Sequence, residues 1–211
     1  MLGNQNADWR STRKATALAA IVDMAWELAR EHGLAGLSLR DLARRLGMAT
    51  PSLYSYVDSK HALYDAMFAD GWQAFIDFEP QPADPTLDLA TVLKVGAHRW
   101  VRFSLADPVR HQLLNHRTIP GFEPSPDSYA VAQAAYLQLR APIEAVADFT
   151  QADMDLLTGT VDGLITQQLA NEPGGKRGVG QIDDLRALLV HHYEHRRATP
   201  SRATPRKGKK R

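Results

Sequence analysis

The stretch Ser38-Leu39-Arg40-Asp41-Leu42-Ala43-Arg44-Arg45-Leu46-Gly47-Met48-Ala49-Thr50-Pro51-Ser52-Leu53-Tyr54-Ser55-Tyr56-Val57-Asp58-Ser59-Lys60 decides how the amino-terminal part of this chain folds. Ser38, with Asp41 three residues on, is a Ser-x-x-Asp variant of the capping box and predicts a helix start. Leu39, Leu42, Ala43 and Leu46 recur at helical spacing as one apolar stripe, while Arg40, Arg44 and Arg45 fall mainly on the other face. Gly47 supplies the left-handed backbone that a sharp helix exit requires. Thr50-Pro51 reads as an N-cap followed by proline at the first helical position, opening a second helix over about 51–57. That helix keeps Leu53 and Val57 apolar four apart and carries Ser52, Tyr54, Ser55 and Tyr56 on its other side. Two short helices joined by a tight Gly-containing turn, the second polar on one face, form a helix-turn-helix suited to a major groove. An ordinary pair of core helices would not carry hydroxyls and tyrosines there; such groups suit phosphates and base edges. Asp58-Ser59-Lys60 then opens a helix with a lysine in its first turn, against the macrodipole preference for acids; a nearby phosphate would favour it there, and a lone surface lysine is the alternative.

The run Gly47 through Val57, followed by Lys60 and Leu63, resembles the tetracycline-repressor (TetR) family of bacterial regulators. So does the approach to it, Ala25 through Gly33 and then Leu37 through Ala43. The resemblance is specific over about residues 12–68 and architectural beyond. It implies a core Leu53 beside a DNA-facing Tyr54, a Tyr56 where histidine is commoner, and a Lys60 that contacts phosphate. Arg40, Thr50, Pro51 and Ser52 match positions that touch bases or phosphates in relatives. Together with Ser55 these are the expected DNA-binding residues. Thr50 stands where the tetracycline repressor itself has a glutamine that reads a base, so no operator sequence carries over.

The chain has 211 residues, 44% of them hydrophobic, which is enough for a sizeable core. It contains no cysteine, which excludes disulfides and thiolate chemistry and fits a reducing cytoplasm. Neither a signal-peptide core nor a membrane-length apolar run is present, so a cytoplasmic protein without a membrane partner is expected. The net charge of +1 hides a division. Residues 1–64 hold eight basic and six acidic residues, 65–194 hold nine basic and 18 acidic, and 196–211 hold eight basic and no acidic. A mildly positive head on an acidic body directs polyanions to the head.

Periodicity and caps predict an all-α chain of about nine helices. The first should run from Ser11 or Thr12 to His32, closed by Gly33, and a fourth from Lys60 to Phe78. Asp84-Pro85, Asp107-Pro108, Ser125-Pro126 and the Thr150/Asp153 pair mark starts for helices at about 86–106, 108–116, 126–147 and 151–171. Pro142 should kink or interrupt the third of these, and a last helix covers about 181–196. Four glycines among residues 173–180 read as a flexible connection. The expected organisation is a flexible arm (1–11), a helix-turn-helix domain (12–64), a ligand-binding and dimerisation domain (65–196) and a disordered basic tail (197–211).

One half-site reader gains little alone, so a palindromic double-stranded operator and a homodimer are expected. The stripes on the last two helices offer a four-helix interface through Leu157, Gly159, Val161, Gly163, Leu164, Leu185, Leu188, Leu189 and His192. In the body, aromatic and polar groups suggest an effector pocket at Trp100, Phe103, His98, Arg102, His116 and Phe122, for a small molecule the residues do not identify. His191 and His195 share a helix face but supply at most half a metal site, and neither a Ser elbow, a cysteine nor a phosphate loop points to an enzyme. No cofactor is expected. The function these features point to is that of a ligand-released transcriptional repressor; an architectural protein binding any duplex through its basic tail, and a helical enzyme, are the alternatives.

Overall fold

The computed structural model describes residues 3–198, with the side chains of Gly3–Asp8, Arg10 and Ser11 outside the description. The basic tail from residue 199 onward, and the DNA affinity expected of it, lie outside the described residues. Among these residues the fold is all-α, without strands: α1 (Gly3–Gly36), α2 (Leu39–Arg45), α3 (Thr50–Leu53), α4 (Lys60–Asp77), α5 (Leu89–Ala106), α6 (Pro108–Asn115), α7 (Pro126–Glu144), α8 (Gln151–Asn171) and α9 (Ile182–Ala198). None of the described helices is long and apolar enough to cross a membrane. The helices gather into two compact units. One holds the chain up to Pro80 with Arg102–Leu139, the other Gln81–Val101 with the chain from Arg140 on.

In the first unit α1 packs on α2, α4 and α6, and α2 packs on α3. Their shared core includes Ile21, Ala25, Trp26, Leu42, Leu53, Leu63 and Met67, each at most 1% exposed. Polar ties fix the register of this packing. The Trp26 indole donates to Asp70 (2.7 Å), and the Arg30 guanidinium grips Asp107 at 2.7 and 3.0 Å. The Asp65 carboxylate accepts from the Ser125 amide and from the hydroxyls of Ser125 and Ser128, pinning the start of α7 to α4. Gly71 lets α4 approach α6: a Cβ there would stand 2.9 Å from Leu114 Cδ2.

In the second unit α8 and α9 pack along Met154, Leu157, Val161 and Ile165 against Ile182, Leu185, Leu189 and Tyr193, all buried. Thr150 and Asp153 form the reciprocal capping box at the start of α8. The glycine run, expected to be a flexible connection, is bonded to α8 at both ends. Gln168 donates to the Glu172 carbonyl and accepts from the Gly178 amide, and Gly178 is buried where a Cβ would press on Gln168 and the Leu164 carbonyl. This buried side-chain amide adds to the backbone bonds within the run, from Gly175 to Glu172, Gly180 to Lys176 and Gln181 to Gly178.

Some boundaries differ from expectation for local reasons. Helix α1 is already helical at Gly3, ahead of the expected start, because nothing between Asn4 and Thr12 breaks a helix. At Gly33 its backbone turns left-handed (φ +74°), where the sequence closes the helix, and helical residues resume to Gly36. Asp84 accepts from the Thr86 amide and hydroxyl in a turn, so Asp88, bonded to the Thr91 amide at 2.7 Å, starts α5 three residues late. Both carboxyls lie below their ordinary pKa because of these hydrogen bonds. Helix α7 continues through Pro142 and ends two residues later, at Glu144.

Candidate nucleic-acid interface

Ser38 caps α2 by accepting from the Asp41 amide (3.3 Å), and Gly47 takes φ +66° to end it. Helix α3 is shorter than expected, a single turn continued by hydrogen-bonded turns to Val57. Its N-cap is Ala49, whose carbonyl accepts from Ser52 and Leu53, so Thr50 lies inside the helix and does not cap it. Pro51 sits in the first turn, where an amide has no intrahelical partner, so the turn starts at Thr50 without losing a hydrogen bond to the proline. Leu42, Ala43, Leu53 and Val57 are buried beneath the motif. Arg40, Pro51, Ser52, Tyr54 and Ser55 are exposed above it, and Thr50, Tyr56 and Lys60 are half-buried at its edge. The expected DNA-binding residues therefore form one outward surface of donors, acceptors and rings.

Charges around this surface are ordered. Arg45 pairs with Glu31 (Nη1 to Oε1, 2.7 Å), which holds the Glu31 carboxyl below its ordinary pKa, and Arg44 pairs with Asp41 at 3.3 Å. Arg40 has no carboxylate partner among the described residues. The Lys60 ammonium donates to the Ala35 carbonyl (3.0 Å) and lies 5.6 Å from the centre of the Tyr64 ring. An ammonium carries three donors, so this tether positions the charge and leaves bonds to give. Beside the motif, Trp9, Arg13, Lys14 and Ala17 of α1 line a groove of about 640 Å³ with Ser55 and Tyr56.

Within the same unit, a cavity of about 400 Å³ is lined by Phe68, Leu113, Leu114, Asn115, His116, Arg117, Ile119, Phe122, Glu123, Pro124 and Tyr129. Of the six expected pocket residues, only His116 and Phe122 line it. Phe103 is core, with its ring centre 5.2 Å from that of Phe75, and Arg102 pairs with Glu79 on the surface. His98 and Trp100 belong to the other unit. Phe122 also packs on Tyr64, Phe68 and His61, with ring centres 5.9, 6.4 and 6.2 Å away.

The stripe expected to meet a second copy divides in two. Leu157, Val161, Leu185 and Leu189 are buried in their own unit, while Leu164 is half-buried. Gly159, Gly163, Leu188 and His192 are exposed, and Leu156 joins them, 42% exposed.

The family described as "Bacterial regulatory proteins, tetR family" matches residues 21–67, the segment from α1 through most of the first half of α4. Over 166 residues the chain is 31% identical to the class C tetracycline repressor of Escherichia coli, covering 77% of this chain and 71% of that protein. The chain belongs to the tetR family. It is also 33% identical over 114 residues to the HTH-type transcriptional regulator Rv1816 of Mycobacterium tuberculosis, a match covering 53% of this chain and 49% of that one. The chain thus spans about half the length of the mycobacterial regulators it matches. Among solved structures, a TetR variant from Acinetobacter baumannii AYE in complex with minocycline shares the fold. It is 23% identical, with a TM-score of 0.57, and the match covers 85% of this chain and 97% of that one.

For this TetR-family chain, sequence reasoning missed Trp9 as a neighbour of the interface, although its i, i+4 spacing from Arg13 was a usable signal. It also missed Phe68 and Ile119 in the cavity. Nothing local marks those two, because the cavity forms where the loop between α6 and α7 folds back on α4.

Proposed function

We propose that this protein is a sequence-specific transcriptional repressor that binds a palindromic operator as a homodimer and leaves it when a small molecule fills the cavity around Phe122. The observation that carries the reading is the outward surface of α2 and α3, where Arg40, Ser52, Tyr54 and Ser55 stand exposed over a buried Leu53. Such a surface offers hydrogen bonds to base edges from a short helix and phosphate contacts from its rim. The exposed strip at Leu156, Gly159, Gly163, Leu188 and His192 is the face for the second copy, which sets the half-site spacing. Activity lies in binding, with no turnover, in the cytoplasm.

The cavity fits an effector with an apolar body and a few polar groups, its walls being mostly aromatic and aliphatic with Asn115, His116 and Arg117 among them. An occupant that displaces Phe122 acts on Tyr64, whose hydroxyl donates to the Leu34 carbonyl (2.5 Å), and so on the loop that tethers Lys60. Release follows from the effector's differential affinity for the two arrangements, commonly about 1–3 kcal/mol. The basic tail could instead support an architectural role, which predicts equal affinity for every duplex.

A matched pair of substitutions tests the DNA-binding face. Lys60→Ala should weaken all duplexes alike and flatten the salt slope by about one unit, as loss of a phosphate contact does. Ser52→Ala should change which operator variants are preferred. Uniform weakening by Ser52→Ala, or an unchanged slope for Lys60→Ala, contradicts the assignments.

A further inference from the structure

Helix α1 runs ahead of its own core. Among the described residues Leu18 is the first of its side chains packed against the buried cluster, and residues 12–16 are all exposed. Trp9 is 59% exposed, and the Arg13 guanidinium lies 5.1 Å from its ring centre. No acidic residue occurs between Trp9 and Val22. Arg13 and Lys14 face Ser55 and Tyr56 across the groove beside α3.

We propose that this groove holds the sugar–phosphate backbone of the duplex just outside the half-site that α3 reads, with Arg13 and Lys14 on neighbouring phosphates and Trp9 against a deoxyribose. The inference rests on the DNA-binding reading above. Continuity supports it, since Ser55 and Tyr56 belong both to the recognition turn and to the groove. Charge supports it too: two cations and two hydroxyls line an open channel, a lining suited to phosphate oxygens. A guanidinium stacked on an indole keeps its N–H edge available for bidentate phosphate contact. The open shape of the groove suits a backbone rather than a buried base.

The test compares the full chain with a double variant, Arg13→Ala and Lys14→Ala, on the preferred duplex with and without flanking base pairs. On the flanked duplex, the affinity ratio between about 50 and 200 mM salt should shrink about twelvefold in the variant, as two lost phosphate contacts at roughly 0.9 slope units each require. On the duplex trimmed to its half-sites the two proteins should match. The swap Arg13→Lys with Lys14→Arg should keep the slope, which separates lost charge from a lost helix. Trp9→Ala should weaken flanked binding at every salt concentration without changing the slope, and Trp9→Phe should restore it. An unchanged slope in the double variant overturns the proposal, as does an affinity that follows the flanking base sequence, which would make the groove a base reader. Phosphates are present in any duplex, so the slope comparison on a long duplex of arbitrary sequence decides this groove even if no operator emerges. A flattened slope there with no sequence preference would sink the repressor reading and leave the groove standing.

Discussion

The α2–α3 motif and the α8–α9 pair are both two helices closed on an apolar seam, yet they present opposite surfaces. Under the first, Leu42, Leu53 and Val57 are buried and the outside is Arg40, Ser52, Tyr54 and Ser55. Under the second, Leu157, Val161 and Leu189 are buried and the outside is Leu156, Gly159, Gly163 and Leu188, the last 68% exposed. Both seams bury leucines and valines, and the difference lies in what is left over. Hydroxyls, rings and a cation suit a polyanion read edge by edge. Leucines beside glycines, with open space where each Cβ would go, suit the close approach of another helix.

The largest effect should come from cutting a seam. Leu53→Ala removes a fully buried side chain and should cost about 2–5 kcal/mol, read by denaturant unfolding, with DNA binding lost as the motif loosens. A change within error would mean that the seam does not hold the recognition turn.

Next come substitutions on the apolar exterior, where stability and association should part. Gly163→Ala meets nothing within 4 Å in the protomer and should stabilise the isolated helix by about 1 kcal/mol. Across a close helix contact the same methyl should weaken dimerisation, as should Leu188→Asp, both read by sedimentation. Unaltered association in both variants would take this face out of the dimer.

A smaller effect appears with pH. Burial pushes the Tyr64 phenol above its ordinary pKa, and its neutral form donates to the Leu34 carbonyl. A raised folded pKa gives stability that is complete below the ordinary tyrosine range and is lost as pH rises through the folded value. Unfolding curves at increasing alkaline pH should fall more for the wild type than for Tyr64→Phe; coincident curves would deny the Tyr64 hydroxyl that part.

What could be read from the sequence divides along the same line. Ser38, Gly47, Asp107-Pro108 and the Thr150/Asp153 box act over three or four residues, so pattern alone located the elements they bound. The choice between Asp84 and Asp88 as helix start needed to know which carboxylate a nearby threonine would claim, and α3 starts one residue before the Thr50-Pro51 pattern places it, on an alanine cap that no side-chain pattern marks. The outward hydroxyls of α3 were legible because a single turn has few faces. The cavity was not, because Phe103 and Phe122 are equally aromatic and only tertiary packing sends one to the core and the other to the wall. Gln168 likewise orders the glycine run from ten residues away.

Selecting bound fragments from a pool of random duplexes tests the whole reading at once. It should enrich an inverted repeat whose two halves are centred about 34–36 Å apart, or a multiple of that, so that twin recognition turns lie on one side of the helix. Recovery of fragments with no shared sequence, held by a protein that sediments as a single chain, would contradict it.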